Sequence, residues 1–420
     1  MLTSTCFRWA LGAALAAPLA LHAQVPAAYQ VATWRQFKPA AVSYTLDDNT
    51  GNQLPIAIPL FDQYGFKTTL FTVTNWGPNW AGLRTASANG HEVTSHTVTH
   101  PSLSSLTVAQ QVVELQNSQT TIKANVPTAK CETVAYPNCV LGDVPTIQAS
   151  YIAGRICSGQ IMPATPPDFY NLSSIITGTT GSVRMAADFN TRVASAKSSG
   201  GWCVFLTHGI DADMGYSPTQ SVELAAHLAY MDANRADFWV GTFSDVVKYI
   251  KERNAAVLTE TTVSATQYSL TVTDNLPDAV YNVPITVRRQ LPATWANAAL
   301  TQGGAPLAST ISTVGGVKYV VFDVVPDKGA VQLTSAVALA STASKAAEAV
   351  SLWPNPFVDA LTVALPGQFD VAIYSLDGKL VSTGHGTTTM QVGRGLATGT
   401  YVVKVSQQGQ PVSSQLIFKK

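Results

Sequence analysis

Charge is scarce in this chain. Only 12% of its 420 residues are Asp, Glu, Lys or Arg, about half the usual quarter of a soluble protein. The 25 basic and 25 acidic side chains cancel. A nucleic-acid binder carries a basic excess or stripe and is disfavoured. A disordered chain needs high net charge and low hydrophobicity and is disfavoured too. The sequence has no G-x-S-x-G elbow, no P-loop, no G-x-G-x-x-G turn after a strand and no C-x-x-C pair. Serine-hydrolase, nucleotide and thiolate-metal chemistry therefore find no support. What is present is 46% apolar residues with 29 Gly and 23 Pro, a composition of strands and turns.

Long apolar runs are also missing, except at the start. Trp9 to Leu21 follows the single positive side chain of Arg8, with Pro18 near its end and the small residue Ala23 beyond. This reads as a signal peptide over residues 1–23, too short for a bilayer span, and it leaves no membrane span after removal. Cys6 departs with it. Cys131, Cys139, Cys157 and Cys203 remain, and an exported chain permits them to pair. Cys131 and Cys139 flank one expected strand and would stand roughly 26 Å apart if it is extended, too far for a bridge. Cys139 and Cys157 follow neighbouring expected strands on the same side and make the better pair.

From about residue 40 to 255, strand and helix patterns alternate. Expected strands are Ala41–Leu46, Thr68–Val73, His91–Ser95, Thr133–Tyr136, Ile152–Ile156, Trp202–Thr207 and Phe238–Val240. Helices are expected over Ile56–Tyr64, from a Thr107/Gln110 capping box onward, and over Phe243–Arg253. Val108, Val112, Leu115 and Ile122 should share the buried face of the second. Repeated βα units imply a mostly parallel sheet covered by helices, open or closed as a barrel. After Asn254, short alternating Thr/Val runs read as a β-sandwich to about residue 340. A Ser/Ala-rich linker follows over 341–349, and residues 350–420 form another small β domain.

The polar residues that could carry chemistry fall at strand ends, where α/β folds place their sites. Asp47-Asp48 closes the first strand. By itself such a pair before Asn-Thr-Gly is an ordinary turn. At a strand end, alternation would send the two carboxylates opposite ways. His96 and His100 close the third strand at a spacing that can share a metal, and Pro101 favours a tight loop over a helix there. Two His and one Asp suit Zn²⁺ with an open position, and also Fe(II), Co²⁺ or Ni²⁺. His208 closes the strand Trp202–Thr207 and could serve as a general acid. His91 reads as structural, and His227 and His385 receive no role.

Thr45-Leu46-Asp47-Asp48, His96-Thr97-Val98-Thr99-His100 and Leu206-Thr207-His208 resemble the ordered motifs of polysaccharide deacetylases (carbohydrate esterase family four, the NodB homology domain). The resemblance spans about residues 38 to 254. It implies a distorted (β/α) barrel over 24–256, one divalent metal ion with Zn²⁺ the first choice, and hydrolysis of acetyl groups on a glycan. Asp48, His96 and His100 would hold the metal, Asp47 would be the base and His208 the acid. The family's third motif has an Arg where this chain has Ala135, and Arg155, at the end of the next strand, could supply that guanidinium. The family's Asp-Trp element is not evident. Trp353-Pro354-Asn355-Pro356-Phe357, Leu376-Asp377-Gly378-Lys379-Leu380-Val381 and Gly399-Thr400-Tyr401-Val402-Val403-Lys404-Val405 resemble the C-terminal sorting domain of type IX secretion substrates. This implies a secreted or cell-surface protein that meets that machinery.

The expected architecture is thus an α/β barrel followed by two small all-β domains (257–340 and 350–420). The expected function is a monomeric enzyme acting on an acetylated polysaccharide, N-acetylated glucosamine units first. The alternatives are an O-acetyl xylan esterase and a non-catalytic carbohydrate-binding protein with a degenerate barrel.

Overall fold

The computed structural model describes residues 27–336, 350–375 and 378–420. The expected signal peptide, the 341–349 linker and the Leu376-Asp377 part of one turn lie outside them. The chain divides into two compact units, residues 27–336 and residues 350–420 among those described.

The first unit opens with a short strand, β1 (Tyr29–Val31). Eight further strands then build one parallel sheet: β2 (Ala40–Asp47), β3 (Thr69–Thr72), β4 (Glu92–Ser95), β5 (Thr133–Ala135), β6 (Ala153–Arg155), β7 (Ile175–Ile176), β8 (Trp202–Thr207) and β9 (Phe238–Val240). The order is β6-β5-β4-β3-β2-β8-β7, with β9 against the start of β2. A bridge between Arg155 and Leu172 draws the β6 edge toward the segment leading into β7, so the sheet curls into a distorted (β/α) barrel. All eight residues of β2 are buried, as expected of a strand covered on both faces.

The helices are α1 (Ile58–Gln63), α2 (Trp80–Ala88), α3 (Val108–Asn125), α4 (Val144–Gln148), α5 (Ala186–Ser199), α6 (Ser221–Ala233) and α7 (Phe243–Ala255). Their ends follow local chemistry. Thr107 and Gln110 form the capping box of α3, and Thr242 caps α7 through Asp245 N. Gly200 ends α5 at φ 65°, a left-handed position that glycine takes without strain. The helix expected to begin at Ile56 is preceded by a wider π turn over Gln53–Ala57.

The buried face of α3 differs from the expected one. It is Gln111, Leu115, Ser118 and Ile122, while Val108 is 54% exposed. The polar members are buried because each has a partner. Ser118 Oγ meets Ser95 Oγ at 2.8 Å, and Gln111 accepts from Asp143 N and donates to Leu106 O. An apolar-only reading of the periodicity misses such positions.

Residues 257–336 form two antiparallel sheets around Leu258, Leu270, Val287, Val320, Phe322 and Leu333. β1 joins this sandwich, pairing with residues 285–290, although it precedes the barrel in sequence. Tyr249 of α7 lies in the same core and donates to Ala32 O. Barrel and sandwich therefore pack as one unit. The second unit is all-β, with a three-stranded and a four-stranded sheet around Phe357, Phe369, Val371, Val403 and Ile417. No described helix is long and apolar enough to cross a membrane.

Candidate metal centre and active site

The barrel strands run parallel, so their carboxyl ends meet at one mouth. Asp47 is the last residue of β2. Asp48 leaves the strand at φ 74°, and this turn overrides strand alternation. The two carboxylates consequently face the same imidazole instead of diverging. His96 Nε2 lies 3.6 Å from Asp47 Oδ2 and 3.5 Å from Asp48 Oδ1.

His96 to His100 form a loop, as Pro101 foretold. Thr97 and His100 both sit at positive φ, 66° and 63°, a conformation that needs outside support. Glu114 of α3 supplies it. One carboxylate oxygen accepts from Val98 N and Thr99 N, and the other accepts from Thr99 Oγ1 at 2.6 Å. The loop thereby brings His100 Nε2 to 3.5 Å from Asp48 Oδ1.

One ligating atom each of Asp48, His96 and His100 lies within 4.8 Å of the others. His96 Nδ1 donates to Ala135 O at 2.9 Å, which leaves Nε2 as the lone-pair donor. Asp48 Oδ1 is buried and has no hydrogen-bond partner among the described residues. An orphaned carboxylate oxygen between two imidazole nitrogens fits a divalent cation.

Asp47 is held differently. Arg155 Nη2 donates to Asp47 Oδ2, and both side chains are 2% exposed. Arg155 Nη1 donates to Ser174 Oγ at 2.8 Å, and the guanidinium lies over the Phe71 ring. Ala135, where a guanidinium was expected by resemblance, instead gives its carbonyl to His96. His208, just beyond β8, places Nε2 3.9 Å from Asp48 Oδ2. The mouth thus brings together all six residues singled out from the sequence. His91 is packed away, bonded to Asp62 and Thr68. His227 is buried on α6, and His385 pairs with Asp370 in the second unit.

Burial sets the electrostatics. It pushes Asp48 up to about 7, helped by the charge of Asp47 and opposed by Arg155. It pushes His96 down to about 4, against the pull of Asp47. His100 and His208 are lowered for the same reason. Neutral imidazoles at neutral pH are the form that ligates a metal.

Two contributors went unnoticed in the sequence. Glu114 could have been noticed as the only carboxylate of α3. Gln53 gave no signal. Its buried amide donates to Asp47 O at 2.5 Å and to His208 O at 3.0 Å, bridging the ends of β2 and β8. Trp76, 49% exposed, packs its ring 4.9 Å from His100, and Tyr216, 55% exposed, meets His208 edge-on at 5.0 Å.

Residues 35–148 match the family model described as polysaccharide deacetylase. Over those residues the chain is similar to a polysaccharide deacetylase domain. Residues 351–419 match the secretion system C-terminal sorting domain, which indicates secretion or attachment to the cell surface through type IX secretion. A gellan lyase of Bacillus sp. is 29% identical over 326 residues, 72% of this chain. The chain spans 13% of that relative's length. Among solved structures, similarity extends to the carbohydrate esterase family four domain of a multidomain xylanase from the hindgut metagenome of Trinervitermes trinervoides. That pair shares 14% identity, 49% of this chain, 89% of the other and a TM-score of 0.37. A family four pseudoenzyme from Bacillus anthracis is 17% identical over 50% of this chain and 65% of its own, with a TM-score of 0.36.

Proposed function

We propose that this chain is a secreted, metal-dependent hydrolase that removes acetyl groups from a polysaccharide, with N-acetylated glucosamine units as the first candidates. The observation that carries this reading is the orphaned Asp48 Oδ1 facing His96 and His100, with Asp47 at their side. Asp48, His96 and His100 would hold one divalent ion, Zn²⁺ before the others. Such an ion polarises a carbonyl and makes nearby water more acidic.

The remaining work falls to the chain's own groups. Asp47 acts as general base. Arg155 fixes one of its oxygens, and the other, Oδ1, has no partner among the described residues and is available to accept a proton. His208 acts as general acid toward the departing group. Burial lowers its pKa, so its imidazolium is a stronger acid than that of an ordinary histidine. An amide substrate needs that donor more than an ester does, because an amine anion is a very poor leaving group. The exposed rings of Trp76 and Tyr216 flank the mouth as apolar faces for a sugar.

Acetate release across a panel of N-acetylglucosamine oligomers, peptidoglycan and acetylated xylan tests the reading, with release from the N-acetylated members expected. Glycan binding and bound metal without acetate release from any member would replace it with a binding function.

A further inference from the structure

The sandwich has a face that the chemistry at the mouth does not use. Its four-stranded sheet runs in the order β1, Ile285–Gln290, Val317–Val324, Ser309–Val314. Ile285, Val287, Val320, Phe322 and Val324 belong to the core, so the alternate residues of their strands stand on the outer side. The register lines up Gln30, Arg288, Val321 and Thr310 across all four strands. Thr286 and Asp323 form the row on one side of these, and Tyr319 with Ser312 the row on the other. A cavity of about 610 Å³ lies over this face, and Arg288 and Asp323 are the ionisable side chains that line it among the described residues.

The charge of Asp323 is answered within the protein. Arg35 pairs with it at 3.2 Å, and Thr286 Oγ1 donates to it. Gln36 N donates to Thr286 Oγ1 at 2.9 Å. These bonds hold the Arg35–Phe37 turn on the sheet, with Gln36 and Phe37 at φ 58° and 57°, a left-handed conformation that persists only under such constraint. The turn sets the Phe37 ring 4.3 Å from the Arg288 guanidinium, and the Tyr319 ring stands 4.9 Å from it. Arg288 Nε and Nη2 both donate to Gln30 Oε1. Arg288 is thus held by two rings and an amide. It forms no ion pair among the described residues, and its Nη1 has no acceptor among them.

A fixed guanidinium without a counter-charge suits an anion, and a planar carboxylate fits its fork. One positive charge is too little for a nucleic acid, which is held through many phosphate contacts. Along the row the charge of Arg288 is followed by the apolar Val321 and then by the hydroxyl of Thr310, with Ser312 in the next row. A uronic acid unit presents the same order: a carboxylate, a C–H face and hydroxyls. We propose that this outer face of the sandwich is a second, non-catalytic site that binds a uronate unit of a polysaccharide. The site stands independently of the reaction at the barrel mouth.

The test measures binding of the full chain to an oligogalacturonate, beside a neutral xylose oligomer and a glutamate oligomer, at low and high salt. The galacturonate oligomer should bind in preference to both others and lose affinity as salt rises. Arg288→Gln should weaken that binding by about 10-fold, the scale of one charge-assisted hydrogen bond. Thr310→Val should weaken it less. Both variants should keep the wild-type circular dichroism and the wild-type rate on 4-nitrophenyl acetate, whatever that rate is. No binding of the galacturonate oligomer, an affinity unchanged in Arg288→Gln, or equal affinity for the glutamate oligomer would overturn the uronate site. Absence of acetate release from every substrate would count against the deacetylase reading alone, since the binding measurement does not pass through it.

Discussion

Arg155 and Asp47 form an ion pair with both side chains 2% exposed, reaching across the barrel from β6 to β2. The pair is fixed at its far end by Ser174, which accepts from Arg155 and donates to Ile156 O at 2.7 Å. Removing one partner would leave the other charge buried and alone. Arg155→Met should therefore destabilise the fold by about 3–5 kcal/mol and abolish acetate release. Arg155→Lys should recover only part of the stability, since an ammonium cannot serve Asp47 and Ser174 in the fork geometry of a guanidinium. Denaturant unfolding of the three proteins checks this. An Arg155→Met protein as stable as wild type would show that the pair does not hold the barrel mouth.

Gln53 holds the two strand ends that carry the base and the acid. Gln53→Leu keeps the volume and removes both donors. It should lower kcat by about 10²-fold, the scale of a 1 Å misplacement, and stability by about 1–3 kcal/mol. Metal content should stay at the wild-type level, because Gln53 touches neither imidazole. Loss of metal in step with activity would assign Gln53 to the metal centre instead.

Cys139 and Cys157 are bridged, with Cα atoms 5.5 Å apart and a sequence separation of 18. The bridge ties the turn after β5 to the segment just past Arg155. Replacing both by Ser should cost about 3 kcal/mol on the loop-entropy model. Cys131 and Cys203 are buried thiols, and burial pushes Cys131 up to about 12. Of these four cysteines, none should react with a thiol reagent in the native protein and two should react after unfolding without reductant.

His227 gives the fold an acid sensitivity. Its Nδ1 donates to Asn190 Oδ1 and its Nε2 accepts from Tyr44 Oη, both at 2.7 Å. Burial holds its pKa down to about 3, against about 6.5 in an unfolded chain. As pH falls below about 6.5 the unfolded chain takes the proton first, so stability present above that pH is lost progressively toward about 3. Unfolding free energies of wild type and His227→Gln between pH 7.5 and 4.5 should diverge. The wild-type slope should be steeper by up to about 1.4 kcal/mol per pH unit. Parallel slopes would show that His227 is charged in the folded state.

The fold was legible where local chemistry and burial agree. Trp202–Thr207 and Phe238–Val240 were readable to the residue, and the Thr107 capping box was visible in the letters alone. The candidate site was legible because its residues sit at strand ends in recognisable order. Three things were hidden. The φ of 74° at Asp48 depends on the turn beyond it, so strand alternation sent its carboxylate the wrong way. Gln53 acts through backbone carbonyls 6 and 155 residues away, and backbone acceptors carry no side-chain signature. The entry of Tyr29–Val31 into the sandwich is a pairing across more than 250 residues (Gln30 to Arg288), which no local pattern encodes.

The central claim divides two adjacent carboxylates, with Asp48 ligating the metal and Asp47 moving the proton. Metal content measured beside acetate release in Asp47→Asn and Asp48→Asn tests it most directly. Asp48→Asn should lose metal, because an amide is a poorer ligand than a carboxylate, and added metal should restore part of its activity. Asp47→Asn should retain metal, lose about 10²–10⁴-fold in rate and gain nothing from added metal. An Asp47→Asn protein that has lost its metal beside an Asp48→Asn protein that keeps it would contradict the account.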